Sequence, residues 1–178
     1  MSETKFRKIN NLLGWLVFSI ALITYGLTVE PTASYWDAGE YIATSAKLQV
    51  GHPPGAPLYQ MLGAVFSLFA TDTEKIALAV NYLSVVSSAF VILFLFWSIT
   101  LLLRKIYDIN DQINSRNIFL SAVIGSLAYT FSDSFWFSAV ESEVYALAMF
   151  FLASTFWFNF NWLVVCSIVC VSRCQITK

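Results

Sequence analysis

An aspartate, a glutamate and a histidine fall within sixteen residues of one another, in Tyr35-Trp36-Asp37-Ala38-Gly39-Glu40 and Gly51-His52-Pro53-Pro54-Gly55. Read as a helix from Trp36 to Val50, the segment puts Asp37, Glu40, Tyr41, Thr44 and Lys47 on one stripe and Ala38, Ile42, Ala46 and Val50 on another. Such an amphipathic helix suits a membrane interface. Two carboxylates held that close push their pKa values apart, which yields a base beside an acid, or a cation site. Solvated loop acids would carry the same letters, so the pair is a candidate. His52 stands before two prolines, which hold its backbone extended and start the next helix at or after Pro54. Its imidazole can bond a phosphate oxygen or a sugar hydroxyl, and a plain surface histidine is the alternative.

A second acidic constellation lies at Asp133, Glu141 and Glu143. Glu141 and Tyr145, four apart, are expected on one helical face, with Glu143 pointing away, so that at most one glutamate enters a common pocket. An ionisable side chain at the mouth of a membrane helix is costly enough to be a functional candidate.

The elements that must carry these residues are membrane spans. Asn11 to Val29 and Ala77 to Leu103 are uncharged over 19 and 27 residues, and a span needs about 20. Basic residues before the first run suggest a leader peptide, but the run exceeds the usual apolar core of about 7–15 residues, so a retained helix is expected. Polar residues from Tyr107 to Asn117 read as a loop. A third apolar stretch, Ile118 to Phe131, continues through Phe135, Trp136 and Phe137. A fourth covers Val144 to Phe160, and Trp162 to Val171 crosses only by fusing with it. Pro57 to Ala70 is too short to cross and is expected to lie on the surface. The expected fold is thus all-α, a polytopic helical membrane protein with about four transmembrane helices plus interfacial helices in the first outer loop.

Lys5, Arg7, Lys8, Arg104, Lys105 and Arg116 fall at the N-terminus and in the second loop, which by the positive-inside rule puts the N-terminus in the cytoplasm. Eight of the eleven carboxylates then face outward. Composition agrees with a membrane class, being 58 % hydrophobic and 12 % charged with a mean hydropathy of +0.68. A net charge of −1 gives no reason to expect nucleic acid, whose phosphates call for a basic excess. Cys166, Cys170 and Cys174 read as small apolar residues along a helix rather than metal ligands, since no histidine or fourth thiol accompanies them.

The stretches Ser34 to Thr44 and Lys47 to Leu58, with Ala139-Val140-Glu141-Ser142-Glu143-Val144-Tyr145-Ala146, resemble a family of bacterial membrane proteins related to protein O-mannosyltransferases, in the GT-C glycosyltransferase superfamily. The resemblance covers about Leu12 to Phe160. It implies a sugar donor on a polyprenyl phosphate, a hydroxyl acceptor on a protein or glycan, and a site facing the periplasm from the inner membrane. Asp37 would be the base, and Glu40 would orient the acceptor or a divalent cation. His52 and Lys47 would meet the departing phosphate, with Glu141 and Tyr145 binding substrate. Departure of the phosphate from the opposite face would give inversion. Family members are much longer, so residues 1–160 are expected to be an N-terminal membrane region and 161–178 a divergent tail, truncated or frame-shifted, the chain being inactive alone. The competing expectation is a non-enzymatic membrane protein, a transporter fragment or assembly subunit whose outward carboxylates bind ions.

Overall fold

A computed structural model describes residues 1–53 and 55–176, with side-chain surroundings described as far as Leu163; the three cysteines lie outside that range. The described residues are all-helical: α1 (Glu3–Leu27), α2 (Ala38–Lys47), α3 (Pro57–Ser67), a 3₁₀ turn (Thr73–Lys75), α4 (Ile76–Ile106), α5 (Gln112–Thr130), α6 (Asp133–Val140) and α7 (Val144–Ile176). Three of them, α1, α4 with its leading turn, and α7, are long and apolar enough to cross a membrane. The pair α5 and α6 meets that test jointly, with a bend of 64° between them, the geometry of a broken span or of a re-entrant pair where a third crossing was expected. The protein is a membrane protein of three such helices, or four with the bent pair.

Helix α4 is the hub, packed against α1, α3, α5, α6 and α7. Its apolar residues face neighbours on nearly every side, which is what a span rich in Leu, Val, Ile and Phe all round demands. Val17, Ala21 and Tyr25 of α1 meet Val85, Ala89, Ile92 and Phe96 of α4, and Ala122, Phe135 and Ala139 close the core. The Tyr25 hydroxyl donates to the Thr130 carbonyl at 2.9 Å, satisfying a backbone group near the bend.

Chain-local chemistry sets most helix ends. Asp111 caps α5, its carboxylate accepting from the Ile113 N–H at 2.9 Å, so the polar stretch expected as loop to Asn117 already turns helical at Gln112. Pro57 opens α3, where its missing N–H costs nothing. Arg104 and Lys105 occupy the last turn of α4, favoured by the helix dipole. Arg104 also pairs with Glu3 at 2.6 Å, and the Met1 amine donates to the Ile109 and Asn110 carbonyls. The basic residues of both segments therefore gather at one end of the bundle. Helix α1 extends back to Glu3, well before the expected start of the first span at Asn11.

The expected helix from Trp36 to Val50 is shorter. Trp36 and Leu48 adopt left-handed backbone, with φ of 60° and 48°, and cut α2 to Ala38–Lys47. Thr44, expected on the polar stripe, is buried, its hydroxyl accepting from Gln60 at 3.1 Å. Helices α2 and α3 pack so closely that a Cβ at Gly63 would lie 2.5 Å from Ser45 Oγ.

Candidate functional site

Asp37 is the residue before α2, and its carboxylate leaves the helix N-terminus uncapped. It is exposed at one wall of a cleft of about 280 Å³ that Trp36 and Tyr41 line on the same side and Phe137, Glu143 and Tyr145 on the other. Segments about a hundred residues apart in sequence thus meet at one end of the bundle, opposite the basic end.

The juxtaposition is held by a buried amide. Asn81, 1 % exposed in the first turns of α4, donates to the carbonyls of Glu30 at 2.6 Å and Thr32 at 3.1 Å, and accepts from the Ser142 hydroxyl. The Glu30 N–H adds a bond to the Val140 carbonyl at 3.0 Å. One side chain so ties the exit of α1 to the break between α6 and α7. Sequence reading passed over Asn81, although an amide in the uncharged run from Ala77 to Leu103 is the kind of polar residue a span retains only for a purpose.

Electrostatics divide the carboxylates differently from expectation. Glu40 accepts from the His52 N–H at 2.6 Å and pairs with His52 Nδ1 at 2.7 Å. Those two bonds, the backbone one first, hold Glu40 below the usual carboxylate range, while the same contact raises the His52 imidazole. Glu40 is therefore no raised acid beside Asp37. Burial, then the nearby charges of Asp37 and Glu141, push Glu143 up instead. Tyr41 rises too, chiefly through burial and then through Asp37.

Residues 37–167 match the family model of the protein O-mannosyl-transferase TMEM260 N-terminal domain. The chain belongs to this family. Protein O-mannosyl-transferase tmem260 of Dictyostelium discoideum is 27 % identical over 139 residues, which is 78 % of this chain. The chain spans about 15 % of that relative's length. No solved structure matches.

Within this TMEM260-type domain, ligand atoms of Asp37, Glu40 and His52 lie within 4.8 Å of one another. Lys47 sits in the last turn of α2, exposed, and lines neither that trio nor the cleft. Tyr145 reaches the cleft, but Glu141 does not share a helical face with it. Glu141 is extended, with φ −124° and ψ 160°, and α7 begins only at Val144. Its side chain is buried at 6 % exposure with Oε2 unpartnered among the described residues, and Glu143 is the glutamate that enters the cleft.

Proposed function

We propose that this domain forms part of the site of a membrane glycosyltransferase that moves a sugar from a polyprenyl-phosphate donor to a hydroxyl acceptor on the non-cytoplasmic face, in a GT-C-like arrangement. The observation that carries the reading is Asp37, whose carboxylate stands uncommitted to any hydrogen bond among the described residues in a cleft walled by aromatic rings. Membership in a family named for O-mannosyl transfer supports it. Aromatic faces suit a sugar ring, and a free carboxylate suits a hydroxyl proton.

In this reaction the acceptor oxygen bonds to the anomeric carbon as its proton passes to Asp37. The bond from that carbon to the phosphate oxygen breaks, and its electron pair leaves with the phosphate. A positioned base contributes about 10²–10⁴-fold. Glu143 stands across the cleft, placed to hydrogen-bond a sugar or acceptor hydroxyl.

The test is Asp37→Asn in a full-length family member carrying the same motif, assayed in membranes with a lipid-linked sugar donor. Transfer falls at least about 100-fold at unchanged expression. Undiminished transfer removes Asp37 from the mechanism.

A further inference from the structure

Both oxygens of Glu40 are spent on one residue. Oε1 accepts from the His52 backbone N–H at 2.6 Å, and Oε2 faces His52 Nδ1 at 2.7 Å. An ionised carboxylate only accepts, so Nδ1 carries the hydrogen; Nε2 is the ring nitrogen left to face outward, and it carries a hydrogen too when the ring is an imidazolium. The imidazole is half exposed, at 50 % of its side-chain surface.

The surrounding chain is shaped to keep this contact. A Cβ at position 51 would come within 2.8 Å of Glu40 Oε1 and 3.0 Å of Gln60 Nε2, so the loop reaches Glu40 because Gly51 has no side chain. Gln60 of α3 in turn bonds Thr44 of α2, and the Gly55 N–H closes a turn onto the His52 carbonyl at 2.8 Å. The ionisable groups acting on the ring are Glu40 and Asp37, both acidic, and both favour its charged form.

A metal ion fits this arrangement less well. With Glu40 taken up by His52, Asp37 and Nε2 remain, two ligands where a bound divalent cation takes about four to eight. The imidazolium has no lone pair for a metal and presents Nε2–H outward, which fits an anion instead.

We propose that Glu40 is a positioning residue that holds the His52 ring so that Nε2–H donates a hydrogen bond to a phosphate oxygen of the lipid-linked donor. The inference rests on the transfer reaction above and replaces the expected role of Glu40 in orienting the acceptor. As the carbon–oxygen bond to phosphate breaks, the electron pair stays on the phosphate and the added charge is met by Nε2–H, whose proton need not leave the ring. The acceptor proton goes to Asp37, so the two groups serve opposite ends of one displacement.

His52 is the single histidine of the chain, so its ring nitrogens can be read without assignment ambiguity. Chain labelled with ¹⁵N-histidine in detergent micelles is titrated with a polyprenyl monophosphate, with inorganic phosphate and with the matching polyprenyl alcohol. The lipid phosphate shifts the Nε2 resonance and the alcohol does not. Inorganic phosphate shifting it at similar concentration supports the same contact with no help from the lipid tail, and a shift at much higher concentration supports a lipid-borne source. His52→Gln, followed through the backbone amides of residues 49–52, weakens lipid-phosphate binding about tenfold or more, the loss expected for one charge-assisted bond. Glu40→Gln, which keeps an acceptor for the His52 backbone N–H, lowers the ring's titration midpoint and weakens binding several-fold. An unchanged midpoint in Glu40→Gln, an Nε2 signal indifferent to phosphate, or a shift that appears only with added divalent cation overturns the proposal. Binding is read without turnover, so intact phosphate binding alongside undiminished transfer in Asp37→Asn would overturn the base assignment and leave the phosphate contact standing.

Discussion

Replacing Asn81 with leucine removes three hydrogen bonds at once while keeping a side chain of similar size in the α4 interface. The Glu30 and Thr32 carbonyls lose their donor and the Ser142 hydroxyl loses its acceptor. At about 1 kcal/mol net per bond the loss is about 3 kcal/mol, and the lower average of about 0.6 kcal/mol measured between membrane helices sets a floor near about 2 kcal/mol. Because Asn81 is 1 % exposed, water does not replace the missing partners. The assay is reversible unfolding of the chain in mixed micelles with increasing SDS, followed by tryptophan fluorescence. Ser142→Ala is measured beside it, and the double variant gives the coupling between the two side chains. A destabilisation by Asn81→Leu below about 0.5 kcal/mol, or no coupling to Ser142, would refute the view that this amide fastens the two outer segments together.

Gly63→Leu forces α2 away from α3, since even a Cβ there meets Ser45 Oγ at 2.5 Å; overpacking of this kind costs about 1–3 kcal/mol and lowers the thermal midpoint in micelles. The Glu40–His52 contact gives the loop at residues 48–53 a window of greatest protection from hydrogen exchange. The glutamate's share is present above its ordinary 4.5 and lost as pH falls through its lowered folded value, and the histidine's share is present below its ordinary 6.5 and lost as pH rises through its raised one. Protection is thus fullest between about pH 4.5 and 6.5, and Glu40→Gln flattens the profile. With Cys166, Cys170 and Cys174 replaced, a cysteine at Ser34 is labelled in intact cells by a membrane-impermeant reagent and one at Asn114 is not; the reverse pattern inverts the orientation.

The helices with long uninterrupted apolar runs were legible because lipid demands length and apolarity in one segment. Ala77 to Leu103 fell inside α4, and the apolar stretch from Pro57 came out as α3, too short to cross. The limits of α2 were not legible, since neither tryptophan nor leucine favours left-handed backbone; at Leu48 the turn is closed within the helix's own last turn, by bonds from the Leu48 N–H to the Ser45 carbonyl and from the Gln49 N–H to the Thr44 carbonyl. The start of the fourth run at Val144 was legible and matches α7, but not that Glu141 leaves the helix, since Glu141-Ser142-Glu143 contains no glycine or proline. Bonds to Asn81 and Glu30, in another helix and loop, fasten that stretch, and Glu143 is the glutamate that reaches the cleft. The acidic letters were visible in sequence, while the pairing of Glu40 with a histidine twelve residues on required the fold.

The two left-handed residues bracketing α2 turn an indole and an isobutyl group outward, and Tyr35 and Val50 beside them are equally bare. In water each such residue would be doubly penalised, by a backbone cost of about 1–2 kcal/mol and by wetted apolar surface. Laid into the headgroup layer, the same side chains become anchors, with the indole at the depth tryptophan prefers. A leaflet would then serve as one more packing element for the helix that follows Asp37, and swapping native lipid for a thin detergent shell would loosen this end of the molecule before it loosened the bundle.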